Sequence, residues 1–410
     1  MKYFIKKYEN YLTCILASFF SFYDLLQLSL YNSIISNVAL AFRLSSTKLS
    51  LISSVFLFAN AFGLVPIGFL IDRYSVRIIV ILFLSVSVLS SVVIADTNSW
   101  VVVLAMRFLQ GLTSAASLLT CMRVAIICFR YKVNSAIGLM LSFALLGGFF
   151  GNYVFIHVVH YIGWRNGLRS VAIIGFALVI MWVFLTPSKK LALNVRPTRL
   201  KLDKIKAILF SSKNFMLGLY LGLMSLPIFI LASLWGNFYL HQVYLLTSSE
   251  AALAVSFIFI GLIIGSPLTG YFSDKIGNLK LIMVFGAGSS FFLILPFLLI
   301  HHMTFIQITL LLTLLGMSIS TQNVAFVVIA DNNLEETLSM ATGTASFILN
   351  AVGALSQLLF GWLLKASWQD LNYMTTSSLI KSSYVSSVLI FPLAFLLCVF
   401  LAIFSLNKKL

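Results

Sequence analysis

The sequence predicts an all-α, polytopic membrane protein with twelve transmembrane helices in two six-helix bundles of matching layout. Three observations carry this. Of 410 residues, 60% are hydrophobic and only 9% are charged, and a soluble domain of that size has nowhere to hide so much apolar side chain. Apolar runs recur at lengths of about 18 residues or more, enough to cross a hydrocarbon core of about 30 Å. A short polar pattern also occurs twice. Gly68-Phe-Leu-Ile-Asp72-Arg73-Tyr-Ser-Val-Arg77 and Gly270-Tyr-Phe-Ser-Asp274-Lys275-Ile-Gly277-Asn-Leu-Lys280 each lie between two apolar runs, with Gly63 and Gly265 preceding them at the same offset. A membrane β-barrel would instead show alternating segments of about ten residues.

The expected spans follow in order. The first covers Tyr11 to Leu40, and the second covers Leu49 to Ile71 and ends in the first copy of the pattern. The third, fourth and fifth cover Ile78 to Ala95, Ser99 to Cys128 and Ser135 to Val159, and the sixth covers Arg169 to Leu185. A polar, basic stretch then breaks the series. The seventh to ninth spans cover Phe215 to Tyr239, Ala251 to Ser273 and Leu281 to Ile300. The last three cover Phe305 to Ala330, Met340 to Leu364 and Val385 to Ser405. The organisation is thus a first bundle over 1–186, a basic linker over 187–213 and a second bundle over 214–410. Internal repeats of this kind mark secondary transporters, whose sites lie near mid-bilayer between repeats.

Lys and Arg in short loops set orientation. Of the 27 such residues, nineteen fall on one side if the N-terminus is inside, six fall on the other, and Arg107 and Arg123 lie within a span. Both termini and the linker are therefore expected to be cytoplasmic. The formal charge of +16 is a topology signal on this reading, and no nucleic-acid partner is expected. The linker reads as a solvated tether, with a lipid-bound basic helix or a partner site as alternatives. Cys14, Cys121, Cys128 and Cys398 all sit in apolar runs without metal or CxxC spacing. The first span is too long for a signal peptide and lacks a cleavage site. No Walker A, HExxH or GxSxG sequence occurs, so no cofactor, metal or enzymatic site is expected.

Ionisable groups inside a bilayer are costly, and they mark candidate sites. Asp24 lies about 20 Å into the first span, and Arg107 lies about 12 Å into the fourth, which enters from the other side. The two are expected at a similar depth, where the first and fourth helices would bring them together. Taking a carboxylate out of water favours its protonated form, and a nearby guanidinium favours the ionised one. Movement between those conditions would let Asp24 bind and release a proton. A permanent structural pair locking two helices is the alternative. Gln27 and Tyr31 share the Asp24 helix face, towards a cavity or in interhelical hydrogen bonds. Arg123 sits near the inner end of its span, placed to snorkel or to bind an anion. In the seventh span, Trp235 is expected to line a cavity and Asn237 to join it. Tyr239 and Tyr244 are expected to anchor at the interface. Helix–helix hydrogen bonds account for Gln322, Asn323, Asn350 and Gln357, and Gly138, Gly147, Gly148 and Gly151 permit close packing.

With these residues in place, the whole chain resembles the major facilitator superfamily. The stretches Gly68–Arg77 and Gly270–Lys280 look like its signature loop and the echo of that loop in the second half. The resemblance implies that Gly68, Asp72, Arg73, Arg77, Gly270, Asp274 and Lys275 belong to a gate between the halves. Arg107-Phe-Leu-Gln110-Gly111 looks like the family's fourth-helix motif, whose arginine is linked to proton movement in several members; Gln110 enters the candidate site on this basis. Gly163-Trp164-Arg165 resembles a common turn before the sixth helix. Ser75, Val76, Asn278 and Leu279 depart from the signature, and Gly147-Gly148-Phe-Phe-Gly151 lacks the Gly-Pro pair of drug antiporters.

The expected function is proton-coupled uptake of a small organic solute, an amino acid or organic acid, by a monomer in a bacterial inner membrane. Proton-driven efflux of drugs or a siderophore-like metabolite is the alternative, and a non-transporting sensor on the same fold is a third reading.

Overall fold

A computed structural model describes residues 2–128, 133–186, 211–300, 302–333, 335–364 and 387–405. The linker over 187–210 and the start of the last expected span lie outside these residues, as do the side chains of Ile126, Asp72 and residues 2–10, 133–135 and 335–339. Among the described residues the chain is helical and has no strand. Its order is α1 (Lys2–Phe42), α2 (Ser46–Arg73), α3 (Val76–Asp96), α4 (Trp100–Cys128) and α5 (Val133–Phe149), then a π-helical stretch (Phe150–Val154) leading into α6 (Phe155–Leu185). The second half holds α7 (Ser212–Met224), a longer π-helical stretch (Pro227–Trp235), α8 (Gly236–Tyr244), α9 (Ser248–Ile276), α10 (Leu279–Ile294) and the short α11 (Pro296–Leu299). It ends with α12 (Phe305–Ile319), a 3₁₀ turn (Ser320–Gln322), α13 (Asn323–Asn332), α14 (Glu335–Leu363) and α15 (Ile390–Ser405).

Ten continuous apolar stretches among the described residues are long enough to cross a membrane. One of them, Ala136–Leu185, runs for 50 residues and divides at Gly163, whose φ of 79° and ψ of 158° break the helix. Counting its two arms separately, and adding the shorter Ile390–Phe404, recovers the expected layout. One pair of ends needs correction: the fifth span runs past Val159 to the break at Gly163, where a Cβ would be strained, and the sixth resumes there and not at Arg169, so the turn falls at the Gly163-Trp164-Arg165 stretch that resembles one. The start expected at Val385 lies outside the described residues, and the last described helix spans Ile390–Ser405.

Several ends have local causes. Thr247 caps α9 in a capping box with Glu250, and Gly277 closes that helix at φ 65°. Thr304 and Gln307 do the same at the start of α12. Pro227 has no N–H to donate and opens the longer π stretch.

By its contacts the chain forms two compact units. Unit 1 comprises Met1–Ile34 and Val55–Pro197, and unit 2 comprises Ile35–Ser54 and Thr198–Leu410. The end of α1 and the start of α2 therefore group by contacts with residues of the second half. Hydrogen bonds show why: Ser46 Oγ donates to the Gly361 carbonyl at 2.8 Å, and Trp235 Nε1 donates to Ser50 Oγ at 3.3 Å.

The duplication is visible inside each unit. In unit 1, a Cβ on Gly111 of α4 would come within 2.1 Å of the Phe56 carbonyl of α2. In unit 2, a Cβ on Gly316 of α12 would come within 2.3 Å of the Ile258 carbonyl of α9. Phe56 and Ile258 stand at the same offset ahead of Gly68 and Gly270. Both helix pairs therefore cross at the same place, backbone against backbone.

Candidate functional site

Within unit 1, α1 and α4 face each other through polar side chains. Asp24 is half-buried, and its Oδ2 accepts a hydrogen bond from Ser114 Oγ at 2.9 Å. Ser114 in turn accepts from Asn60 Nδ2 of α2 at 2.5 Å. Asn60 Oδ1 is buried and has no hydrogen-bond partner. Asp24 and Arg107 are close enough to influence each other electrostatically, but they do not form an ion pair. Ser114 lies two helical turns from Arg107, about 10 Å along α4.

Arg107 takes other partners from α1. Its side chain is 1% exposed, and Nη1 donates to the Gln27 carbonyl and to Gln110 Oε1, both at 3.1 Å. Its Cζ stands 4.6 Å from the ring centres of Tyr31 and of Phe56. Nε and Nη2 are buried without a partner, as is the Tyr31 hydroxyl. Around this guanidinium the amides interlock: Gln27 Nε2 donates to Ser91 Oγ at 2.6 Å and to Tyr23 Oη at 2.9 Å. Gln110 Nε2 donates to the same Ser91 at 3.1 Å and to Gln27 Oε1 at 3.4 Å. The structure thus brings Gln27, Tyr31, Arg107 and Gln110 together, and it places Asp24 in an adjoining group with Asn60 and Ser114. Arg123 is half-buried near the end of α4.

Ser91, Asn60, Ser114, Phe56 and Tyr23 escaped the sequence reading. Asn60 left a trace, as an amide inside an apolar run. Serines are too common in these spans to be singled out, and their partners come from other helices. The same holds for Asn152 in the shorter π stretch. It accepts from Asn32 Nδ2 at 2.8 Å, while Ser33 Oγ donates to the Gly151 and Asn152 carbonyls at 3.0 and 2.8 Å.

In unit 2, Trp235 is fully buried, hydrogen-bonded to Ser50 and set 6.4 Å from the Phe360 ring. Asn237 is also buried. Gln357 Nε2 donates to the Phe229 carbonyl at 2.7 Å and to Ser233 Oγ at 3.0 Å. Ser233 Oγ donates to the same carbonyl, so side chains satisfy backbone that π winding leaves irregular. Gln322 accepts from Ser225, Asn323 donates to Ser266 Oγ at 3.3 Å, and Asn350 donates to its own helix at Ser346. The anchoring role expected for Tyr239 is corrected, since the ring is 1% exposed and its hydroxyl donates to the Phe297 carbonyl at 3.3 Å.

Of the repeated pattern, Gly68 and Arg77 are half-buried, whereas Arg73, Gly270, Asp274 and Lys275 are exposed. Arg73 lies 4.1 Å over the Phe69 ring, and Arg77 Nη2 donates to the Val183 carbonyl of α6. Lys275 lies 5.8 Å over the Tyr271 ring. Among the described residues no cluster of His, Cys, Asp and Glu could hold a metal ion.

Chemically, the arrangement offers a carboxylate held by a neutral donor and, beside it, a guanidinium with unmet N–H groups. The chain is similar to solved carriers over nearly its whole length. It aligns with the nucleoside transporter NupG at a TM-score of 0.74 and 14% identity, covering 97% of this chain and 100% of that one. A bacterial homolog of the human lysosomal transporter Spinster gives a TM-score of 0.75 at 14% identity, covering 96% and 97%. At that identity the likeness speaks for fold alone. In sequence, solute carrier family 2, facilitated glucose transporter member 12, of Macaca fascicularis is 31% identical over 127 residues, which are 30% of this chain and 20% of that protein. An uncharacterized transporter of Buchnera aphidicola subsp. Baizongia pistaciae (strain Bp) is 25% identical over 157 residues, covering 36% and 37%. The chain therefore spans about a fifth of the glucose transporter's length and just over a third of the Buchnera protein's. The family model of the Major Facilitator Superfamily matches residues 16–360, and with its multi-pass helical fold the chain belongs to that superfamily.

Proposed function

We propose that this protein is a secondary active transporter that takes up a small organic solute, an amino acid or organic acid, by alternating access coupled to protons. The observation that carries this is Asp24, a carboxylate within the first span, half-buried and held by Ser114, with no ion-pair partner among the described residues. Such a group takes up or releases a proton without breaking a salt bridge, and intramembrane acids commonly serve as proton relays. A stretch of 127 residues is 31% identical to a carrier named for glucose, which supports a small polar cargo.

In this reading the chain is a carrier and not an enzyme. It works as a monomer in a bacterial inner membrane with both termini cytoplasmic. Bundles 1–186 and 214–410 alternate about the 187–213 linker, with Gly68, Asp72, Arg73 and Arg77 and their echoes Gly270, Asp274 and Lys275 in the gate. Trp235, Asn237 and Arg123 act on the solute's path. The test is flux in proteoliposomes under a pH gradient imposed in either direction, against a panel of amino acids, organic acids and dyes. Accumulation of one class of acid, driven by an inwardly directed proton gradient, is expected. Movement of dyes in exchange for protons would replace uptake with efflux, and no movement of any solute would replace transport with a sensor role.

A further inference from the structure

Arg107 carries more unmet hydrogen-bonding capacity than helix packing at its position requires. Both Nη1 protons are committed, to the Gln27 carbonyl and to Gln110 Oε1, and this fixes the guanidinium plane. The rings of Tyr31 and Phe56 lie against its π face. What remains is the edge shared by Nε and Nη2, buried in a residue 1% exposed and without a partner on either atom. On that edge one N–H from each nitrogen points in the same direction, at the spacing of the two oxygens of a carboxylate. Leaving charged donors buried and unmet is expensive, and such an exception calls for a use.

Packing does not supply that use. The same helix crossing occurs in unit 2, where Gly316 meets Ile258 as Gly111 meets Phe56. There the residue one turn ahead of the glycine, matching Arg107, is Leu312, and the residue matching Gln110 is Leu315. Both leucines are buried, so the crossing is stable with no guanidinium in it. Asp24 is the protein's own candidate occupant, but its carboxylate is held by Ser114, two turns away on α4.

We propose that the Nε–Nη2 edge of Arg107 is the seat of the solute's carboxylate, received through two parallel hydrogen bonds. This deepens, and rests on, the reading of the chain as a carrier of a small organic solute. It narrows the cargo to compounds with a free carboxylate and excludes their amides. Gln27, Gln110 and Ser91 are positioning residues, which aim the fork without touching the solute. The Tyr31 hydroxyl, buried and unpartnered on the ring beside the guanidinium, is available for a polar substituent of the same molecule.

The test is binding, read as the shift in thermal unfolding of the purified full-length chain in detergent. The probes are L-alanine, L-lactate and succinate, each beside its amide at equal ionic strength, with nitrate and inorganic phosphate as inorganic arms. At least one acid is expected to raise the unfolding temperature while its amide does not. In Arg107→Lys, which keeps the charge and loses the fork, the concentration needed is expected to rise about tenfold or more. Equal effects of acid and amide, no effect of any acid, an effect of inorganic ions alone, or an unchanged response in Arg107→Lys would each overturn the proposal. Should Arg107→Lys fail to fold, the acid–amide comparison on the unaltered chain still decides. Binding is read without a gradient, so its failure is separable from failure of proton coupling, which is read as flux.

Discussion

Ser91 shows how much of the site depends on single neutral groups. Its hydroxyl accepts from Gln27 and from Gln110 and donates to the Ser87 carbonyl, so one side chain of α3 joins the two glutamines that hold Arg107. Removing it leaves two buried amides short of an acceptor, at a cost of about 1–3 kcal/mol. Ser90 is equally buried but donates only to Val86 of its own helix. Ser91→Ala is therefore expected to lower the unfolding temperature clearly, while Ser90→Ala changes stability by no more than about 0.5 kcal/mol. Equal effects would show that the network does not hold the site. At this scale the sequence reveals charges and hides their partners. Asp24 and Arg107 are conspicuous because acids and bases are expensive in a bilayer. Which of them pairs with what is decided by helix rotation and depth, and a difference of two turns on α4 separates them.

The elements were largely legible, because bilayer thickness sets helix length whatever the tertiary contacts. What escaped notice was irregularity within them. The π stretches Phe150–Val154 and Pro227–Trp235 lie inside apolar runs with no break in hydropathy. The break at Gly163, by contrast, falls in the Gly163-Trp164-Arg165 turn that the sequence marks. Close helix crossing was legible only as a supply of glycines, and the structure sorts them. Gly111 and Gly316 have no room for a Cβ, whereas nothing lies within 4 Å of one on Gly288 of α10. Alanine at Gly111 or Gly316 forces backbones apart and is expected to cost about 1–3 kcal/mol or more, read as reduced yield of folded protein. Gly288→Ala, inside a helix with open space, is expected to stabilise by about 0.5–1 kcal/mol. A loss of stability in Gly288→Ala as large as in Gly111→Ala would contradict this account of the crossings.

For the whole molecule, the repeat fixes an architecture and leaves its use unspecified. The two helix pairs cross alike, yet unit 1 places Arg107 and Gln110 where unit 2 places Leu312 and Leu315. The duplicated frame is therefore chemically one-sided at this level, with charge recruited in one copy only. The Gly68 and Gly270 patterns were legible because they recur; in the site Asp24 and Arg107 were legible as charges, Gln27 and Tyr31 by sharing the Asp24 face and Gln110 through the motif of Arg107, while Asn60 and the serines were not. The most direct test of the central claim is solute accumulation against a gradient in proteoliposomes driven by an imposed pH difference, comparing the unaltered chain with Asp24→Asn at matched insertion. The account predicts that the substitution, which removes the only proton-accepting carboxylate assigned to the site, abolishes accumulation. Normal gradient-driven accumulation by Asp24→Asn would contradict it.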